Sequence, residues 1–239
     1  MNILFLDVYK RSYSRISKDT SGGYGTENSL GDGILGKALS LLVKRSIFWP
    51  NLSFVQLLEE LCGEKHNCSY KKIFSDEKMP KGDWDAVFMC SSIVCFESEI
   101  SVAKKIISKK KVQLFFCGTA AEHLIDEIPS EATVLSGNYE FLIDFLKKRN
   151  LKLEEIAKQR LIRVPNGEPS SLRQIDWDKE DIPATKHLFY SGKKRFFPII
   201  YTRGCPYSCF EYCTYPIAQG RKTFQEDIET FVGKLKDFS

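Results

Sequence analysis

The feature that most restricts this chain is a set of short segments that are apolar almost end to end. Asn2–Tyr9 (NILFLDVY), Trp84–Ser91 (WDAVFMCS), Val112–Cys117 (VQLFFC) and Ala132–Leu135 carry no alternation of polar and apolar residues, and Cys68–Phe74 reads as a further strand. A strand apolar on both sides must be covered on both sides, which calls for a parallel sheet between layers of helix. Helical spacing follows most strands. Ile34–Arg45 repeats Ile34, Leu35, Ala38, Leu39 and Leu42. Pro50 suits the first turn of a second helix with Leu52, Val55, Leu58 and Leu61 on one face. Glu97–Lys109, Ala120–Glu127 and Tyr139–Arg149 complete the set. The expected fold class is α/β: a doubly wound, parallel, five-stranded sheet filling residues 1–150.

Such sheets bind ligands beyond the carboxyl ends of their strands. Here those ends are Tyr9–Gly33, Ser91–Glu97, Gly118–His123 and Ser136–Glu140, rich in Gly, Ser and Thr. They supply a ledge of candidate binding residues: Gly22, Gly23, Tyr24, Gly25, Ser91, Ser92, Gly118, Thr119, Ser136 and Gly137. Each taken singly also suits an ordinary turn. The glycine-rich stretch Lys10–Gly33 matches neither a Walker loop nor a dinucleotide fingerprint.

Composition excludes several classes. Of 239 residues, 43% are hydrophobic and 28% charged, as in an ordinary globular protein. The net charge of +4 is modest and dispersed. The densest basic run, Lys109–Lys111, suits a helix C-terminus better than nucleic acid. No run of about 18 apolar residues signals a membrane span, and the acidic start does not match a secretory signal. A cytoplasmic, reducing location is expected. Cys62, Cys68, Cys90, Cys95 and Cys117 lie in or beside apolar segments and read as buried structural thiols.

The other three cysteines, Cys205, Cys209 and Cys213, crowd into RGCPYSCFEYCTYP. An apolar strand, Phe196–Tyr201, leads in, and a helix, Gln225–Lys236, leads out. Three thiolates on one loop can hold three irons of a cubane cluster and leave the fourth open. Unligated surface thiols, or a zinc site lacking its fourth ligand, are the alternatives; no histidine stands near enough in sequence to complete an obvious zinc set.

RGCPYSCFEYCTYP resembles the signature of radical S-adenosylmethionine enzymes, which is Cys, three residues, Cys, one residue, an aromatic, Cys. Arg-Gly before Cys205, Tyr-Pro after Cys213, and the segments TSGGYGTEN, LGDG, WPNLSFVQLLEEL and QGRKTF…EDIETFV look like the branch with an N-terminal cobalamin-binding domain. Two departures stand out. Three residues, Phe210, Glu211 and Tyr212, separate Cys209 from Cys213 where the pattern has two. The Asp-x-His-x-x-Gly motif that carries a cobalt-ligating histidine reads Asp7-Val8-Tyr9-Lys10-Arg11-Ser12 here, and His66, His123 and His187 lie elsewhere.

The resemblance implies a flavodoxin-like cobalamin-binding domain at 1–150 and the start of a radical S-adenosylmethionine partial barrel at 196–239; between them 151–195, with Pro165, Pro169, Pro183 and many charges, reads as a linker with local structure, including a strand at Arg160–Val164. It implies a 4Fe–4S cluster on Cys205, Cys209 and Cys213, with S-adenosylmethionine on the open iron and Tyr212 against its adenine. Cobalamin would lie on the ledge without a protein histidine on cobalt. An electron donor such as flavodoxin or ferredoxin would reduce the cluster, and cleavage would yield a 5′-deoxyadenosyl radical. Methyl transfer to an unactivated carbon is the leading outcome, on an unknown small-molecule substrate. Because only one βα unit of the barrel is present, the resemblance also implies an N-terminal portion of a longer enzyme, without full turnover alone. The rival expectation is a stand-alone cobalamin- or small-ligand-binding module with a non-catalytic cysteine loop. A signalling receiver fits poorly, since the long glycine loop replaces its compact acidic pocket.

Overall fold

The computed structural model describes residues 1–10, 33–36, 38–39, 54, 57–58, 61, 66–92, 95–109, 112–118, 121–136, 153–163, 190–191, 194–195, 201–203, 223–225 and 227–236. Their centre is a parallel sheet of six strands: β1 (Asn2–Tyr9), β2 (Asn67–Phe74), β3 (Ala86–Cys90), β4 (Gln113–Cys117), β5 (Thr133–Ser136) and β6 (Leu161–Arg163). Their spatial order is β2-β1-β3-β4-β5-β6. β1 pairs with β2 along its whole length, from Asn2↔Asn67 to Tyr9↔Phe74. On its other side it pairs with β3 from Ile3↔Ala86 to Leu6↔Met89. The direction of strand addition therefore reverses at β1, which leaves a cleft position between the carboxyl ends of β1 and β3.

Both faces of the sheet are dry. Leu4, Leu6 and Val8 share one face with Val87, Met89, Leu114, Phe116 and Val134. Helix α1 (Phe96–Lys109) covers that face with Phe96, Ile100, Ala103 and Ile106. On the opposite face Phe5 stacks on Phe88 at 5.0 Å, and Phe88 on Phe115 at 4.6 Å. Phe54 meets Phe5 edge-on at 4.9 Å and Tyr70 at 6.2 Å. Phe54, Leu57, Leu58 and Leu61 are helical and buried, at the spacing of a single apolar stripe. Each aromatic pair adds about 0.5–1.5 kcal/mol beyond area burial. This layer runs across four strands and fixes their register.

The five strands expected in residues 1–150 are present with ends moved by no more than two residues, and the sheet runs on past residue 150. Of the strand expected at Phe196–Tyr201, residues 196–200 lie outside the described residues and Tyr201 is in no strand. The stretch expected as a linker contains α2 (Leu153–Ile156), β6, and the antiparallel pair β7 (Tyr190–Ser191) and β8 (Lys194–Arg195). Ala120–Glu127, expected as a helix, is a run of turns over residues 121–127. Its bonds are mostly of the tight kind, such as Ile125 N to Glu122 O at 3.3 Å. The expected helix Gln225–Lys236 begins later. Gln225 belongs to β10 (Phe224–Gln225), which pairs antiparallel with β9 (Thr202–Arg203). Helix α3 (Ile228–Lys236) starts after Asp227, whose carboxylate accepts the Thr230 N–H at 2.9 Å as an N-cap. Ile34, Leu35 and Leu39 are helical, as their spacing requires, but they are exposed. The second expected helix keeps Leu58 and Leu61 buried, while Leu52, Val55 and all of Tyr139–Arg149 lie outside the described residues. No helix among the described residues is long and apolar enough to cross a membrane.

One arginine explains the turn segment. The Arg160 guanidinium donates to four carbonyls, those of Pro129 and Ala132 at 2.7 Å, Ile125 at 2.5 Å and Ile128 at 2.8 Å. These carbonyls are drawn toward the fork instead of into a helical ladder. A planar five-donor group suits this site and an ammonium does not. Arg160→Lys should lower the unfolding free energy by about 2–4 kcal/mol. Urea denaturation checks this, and a variant as stable as the parent contradicts it.

Candidate functional site

The carboxyl edge of the sheet, at β1, β3 and β4, gathers the buried polar groups. One residue pair beyond the aromatic layer, β1 offers Asp7 beside Lys72 of β2, and β3 offers Cys90 beside Cys117 of β4. Asp7 lies inside β1, fully buried, with the Tyr70 hydroxyl donating to its Oδ2. The next residue on this face is Tyr9. Burial, above all, pushes its hydroxyl well above the usual tyrosine range, aided by Asp7 and then Cys90, Cys95 and Glu99. Tyr9 thus stays protonated, with the Lys72 ammonium 4.5 Å from its ring centroid.

β3 ends in Ser91 and Ser92, and the chain turns into α1. Glu99, one turn inside α1, is fully buried. Its Oε2 accepts the Ser92 N–H at 3.0 Å and its Oε1 accepts the Ser92 hydroxyl at 2.9 Å. The Ser92 Oγ in turn accepts the Cys95 N–H at 3.3 Å. Glu99 N–H donates to Cys95 O at 3.0 Å, so Cys95 is the N-cap of α1 and the carboxylate reaches back beyond it to the turn after β3. Ser91 is held from the other side, its N–H donating to Cys117 O at 2.7 Å. Its hydroxyl is buried and has no hydrogen-bond partner among the described residues.

Gly118 makes this approach of β3 and β4 feasible. Its φ is +111°, and a Cβ there would stand 2.8 Å from Ser91 O. Any side chain would meet both backbone strain and a clash.

A second polar group sits further along the edge. The Ser136 hydroxyl donates to Glu122 Oε2, and Arg163 Nε donates to Glu122 Oε1 at 2.6 Å. Partial burial pushes the Glu122 carboxyl upward. The Ser136 and Arg163 hydrogen bonds and the Arg163 charge outweigh it, with a smaller part from His123, and hold the group below the usual glutamate range. The expected ledge is therefore divided. Ser91, Ser92 and Gly118 come together at the ends of β3 and β4, whereas Ser136 ends β5 and is engaged by Glu122. Gly22, Gly23, Tyr24, Gly25, Thr119 and Gly137 lie outside the described residues, as do Cys205, Cys209, Tyr212 and Cys213. What is described of the cysteine loop is its closure, since Arg203 and Phe224 are register partners.

Cys68, Cys90, Cys95 and Cys117 are buried and in no disulfide, as their apolar surroundings predict. Among the described residues, no group of three or more His, Cys, Asp or Glu is placed to hold a metal ion. The polar residues that sequence reasoning did not single out are Tyr70, Lys72, Glu99, Glu122 and Arg163. For Glu99 a signal existed: an acid in the first turns of a helix that follows a serine pair. No protein-family model, no curated protein and no solved structure matches this chain.

The Glu122 unit has a pH signature. A carboxyl whose folded pKa is depressed adds stability above its unfolded pKa, and loses it as pH falls through the folded value. The stability lost in Glu122→Gln should be a few tenths to about 1 kcal/mol near neutrality, given the group's exposure. It should shrink on acidification below about pH 4. Urea titrations at stepped pH check this, and a difference unchanged to strongly acid pH contradicts it.

Proposed function

We propose that this chain serves cobalamin-dependent radical S-adenosylmethionine chemistry. Cys205, Cys209 and Cys213 would hold a 4Fe–4S cluster, S-adenosylmethionine would sit at its open iron beside Tyr212, and cobalamin would lie over the carboxyl edge of the sheet. The observation that carries the reading is the sequence RGCPYSCFEYCTYP, three thiolates in nine residues, downstream of a parallel sheet with a polar carboxyl edge. The donor set fits an iron–sulfur cluster chemically. The β9–β10 pairing supports it by tying together the two ends of the cysteine loop. The orphaned Ser91 hydroxyl supports a ligand at the edge, because a bound group would satisfy it.

When bound, the cluster supplies the electron that starts radical chemistry and the corrinoid supplies a transferable methyl group. The protein's own part is to bind and orient them. Ser91 offers a hydrogen bond, Ser92 and Glu99 fix the turn that carries it, and Phe5, Phe88 and Phe115 keep the floor beneath dry. The substrate class is an unactivated carbon centre, and the electron donor a flavodoxin or ferredoxin.

Anaerobic reconstitution with iron and sulfide tests the cluster. On reduction the chain should give a 4Fe–4S electron paramagnetic resonance signal that Cys209→Ala abolishes; no such signal in the wild type overturns the enzyme reading. A second reading has one observation in its favour: the hydrogen bonds described at the ends of β3 and β4 run among residues of β3, β4 and α1. A red-orange corrinoid complex without iron or sulfide would favour a stand-alone binding module.

A further inference from the structure

We infer that Glu99 is a positioning residue for ligand binding at the carboxyl edge, acting through Ser92 to set the Ser91 hydroxyl toward the ligand. This rests on the reading that the edge takes a corrinoid. The first argument is energetic. A carboxylate with no exposure is costly to bury, and each Glu99 oxygen accepts a hydrogen bond from Ser92. These bonds do not cap α1, since they reach Ser92, three residues before the N-cap Cys95. What the carboxylate adds is a fixed orientation of the Ser91–Ser92 turn.

The second argument is geometric. Ser91 is restrained through Ser92 by Glu99, and through its own N–H by Cys117 O at 2.7 Å. Gly118 lets β4 approach so closely that a single added carbon would touch the Ser91 carbonyl. Yet its hydroxyl is buried without a partner among the described residues. A rigidly held peptide carrying an orphaned hydroxyl is a preorganised hydrogen-bonding group. A neutral hydroxyl that both donates and accepts suits an uncharged hydrogen-bonding edge, such as an amide.

The test is a double-mutant cycle on the full chain, with hydroxocobalamin titrated by visible absorbance and thermal unfolding recorded beside it. Ser91→Ala should keep or raise the melting temperature, since it removes an unsatisfied buried group. It should also weaken hydroxocobalamin binding by about fivefold or more. Glu99→Gln, which cannot accept both Ser92 hydrogens, should weaken binding by a similar factor. The double variant should bind no worse than Ser91→Ala alone, which a merely structural role for Glu99 does not predict. Should Glu99→Gln fail to fold, Ser92→Ala takes its place in the cycle with the same expectation. Wild-type binding in Glu99→Gln, or multiplied losses in the double variant, overturns the inference while leaving the corrinoid reading intact. A wild type that binds no hydroxocobalamin overturns both.

Discussion

A parallel strand holds its neighbours only when both of its faces are kept from water, and β1 is buried from Ile3 to Tyr9. That dryness has two sources. One is the apolar face shared with α1, and the other is the stack of Phe5, Phe88 and Phe115 with Phe54 against it. Each Phe buried there contributes about 1.5–3 kcal/mol. Register, strand order and the position of every group at the carboxyl edge depend on it. Because side chains alternate with a period of two, a one-residue slip of β1 would send Asp7 and Tyr9 to the opposite face.

Above this dry layer the sheet turns polar within a single residue pair. Asp7, Tyr70, Tyr9, Glu99, Ser91 and Ser92 form a buried end zone that an ordinary core would fill with methyl groups. Burial of these groups costs stability, and their hydrogen bonds offset only part of it. The zone lies where the strand order reverses, which is where open α/β sheets have a place for ligands. Placement and composition therefore point the same way. The cysteine loop, tied at its base by β9 and β10, is the second chemical feature, and the proposed cofactor chemistry needs both.

The central strands are legible in the sequence because parallel strands buried on both faces must be apolar throughout, as ILFL, AVFM and LFFC are. β6 is legible as a strand, at Arg160–Val164, but not as part of the sheet: Leu-Ile-Arg is short, its arginine is mostly exposed, and proline follows two residues later. The 121–127 segment shows how a local pattern can mislead. Ala121, Leu124, Ile125 and Ile128 have helical spacing, but Arg160, 35 residues from Ile125, draws on the carbonyls of Ile125 and of Ile128 just after the segment. No local pattern contains that partner. At the site, Ser91, Ser92 and Gly118 are legible as small residues after strands. Glu99 is legible only as an acid in the first turn of a helix; its bonds to Ser92 depend on the turn after β3 folding back toward α1.

The central claim is that the carboxyl edge at β1, β3 and β4 is a ligand site, and amide hydrogen exchange tests it most directly. Exchange should be followed on the full chain with and without hydroxocobalamin. The account predicts added protection concentrated at residues 90–99 and 117–118, with the amino ends of the same strands unchanged. Uniform protection, or none at the β3 and β4 ends while the corrinoid remains bound, would contradict it.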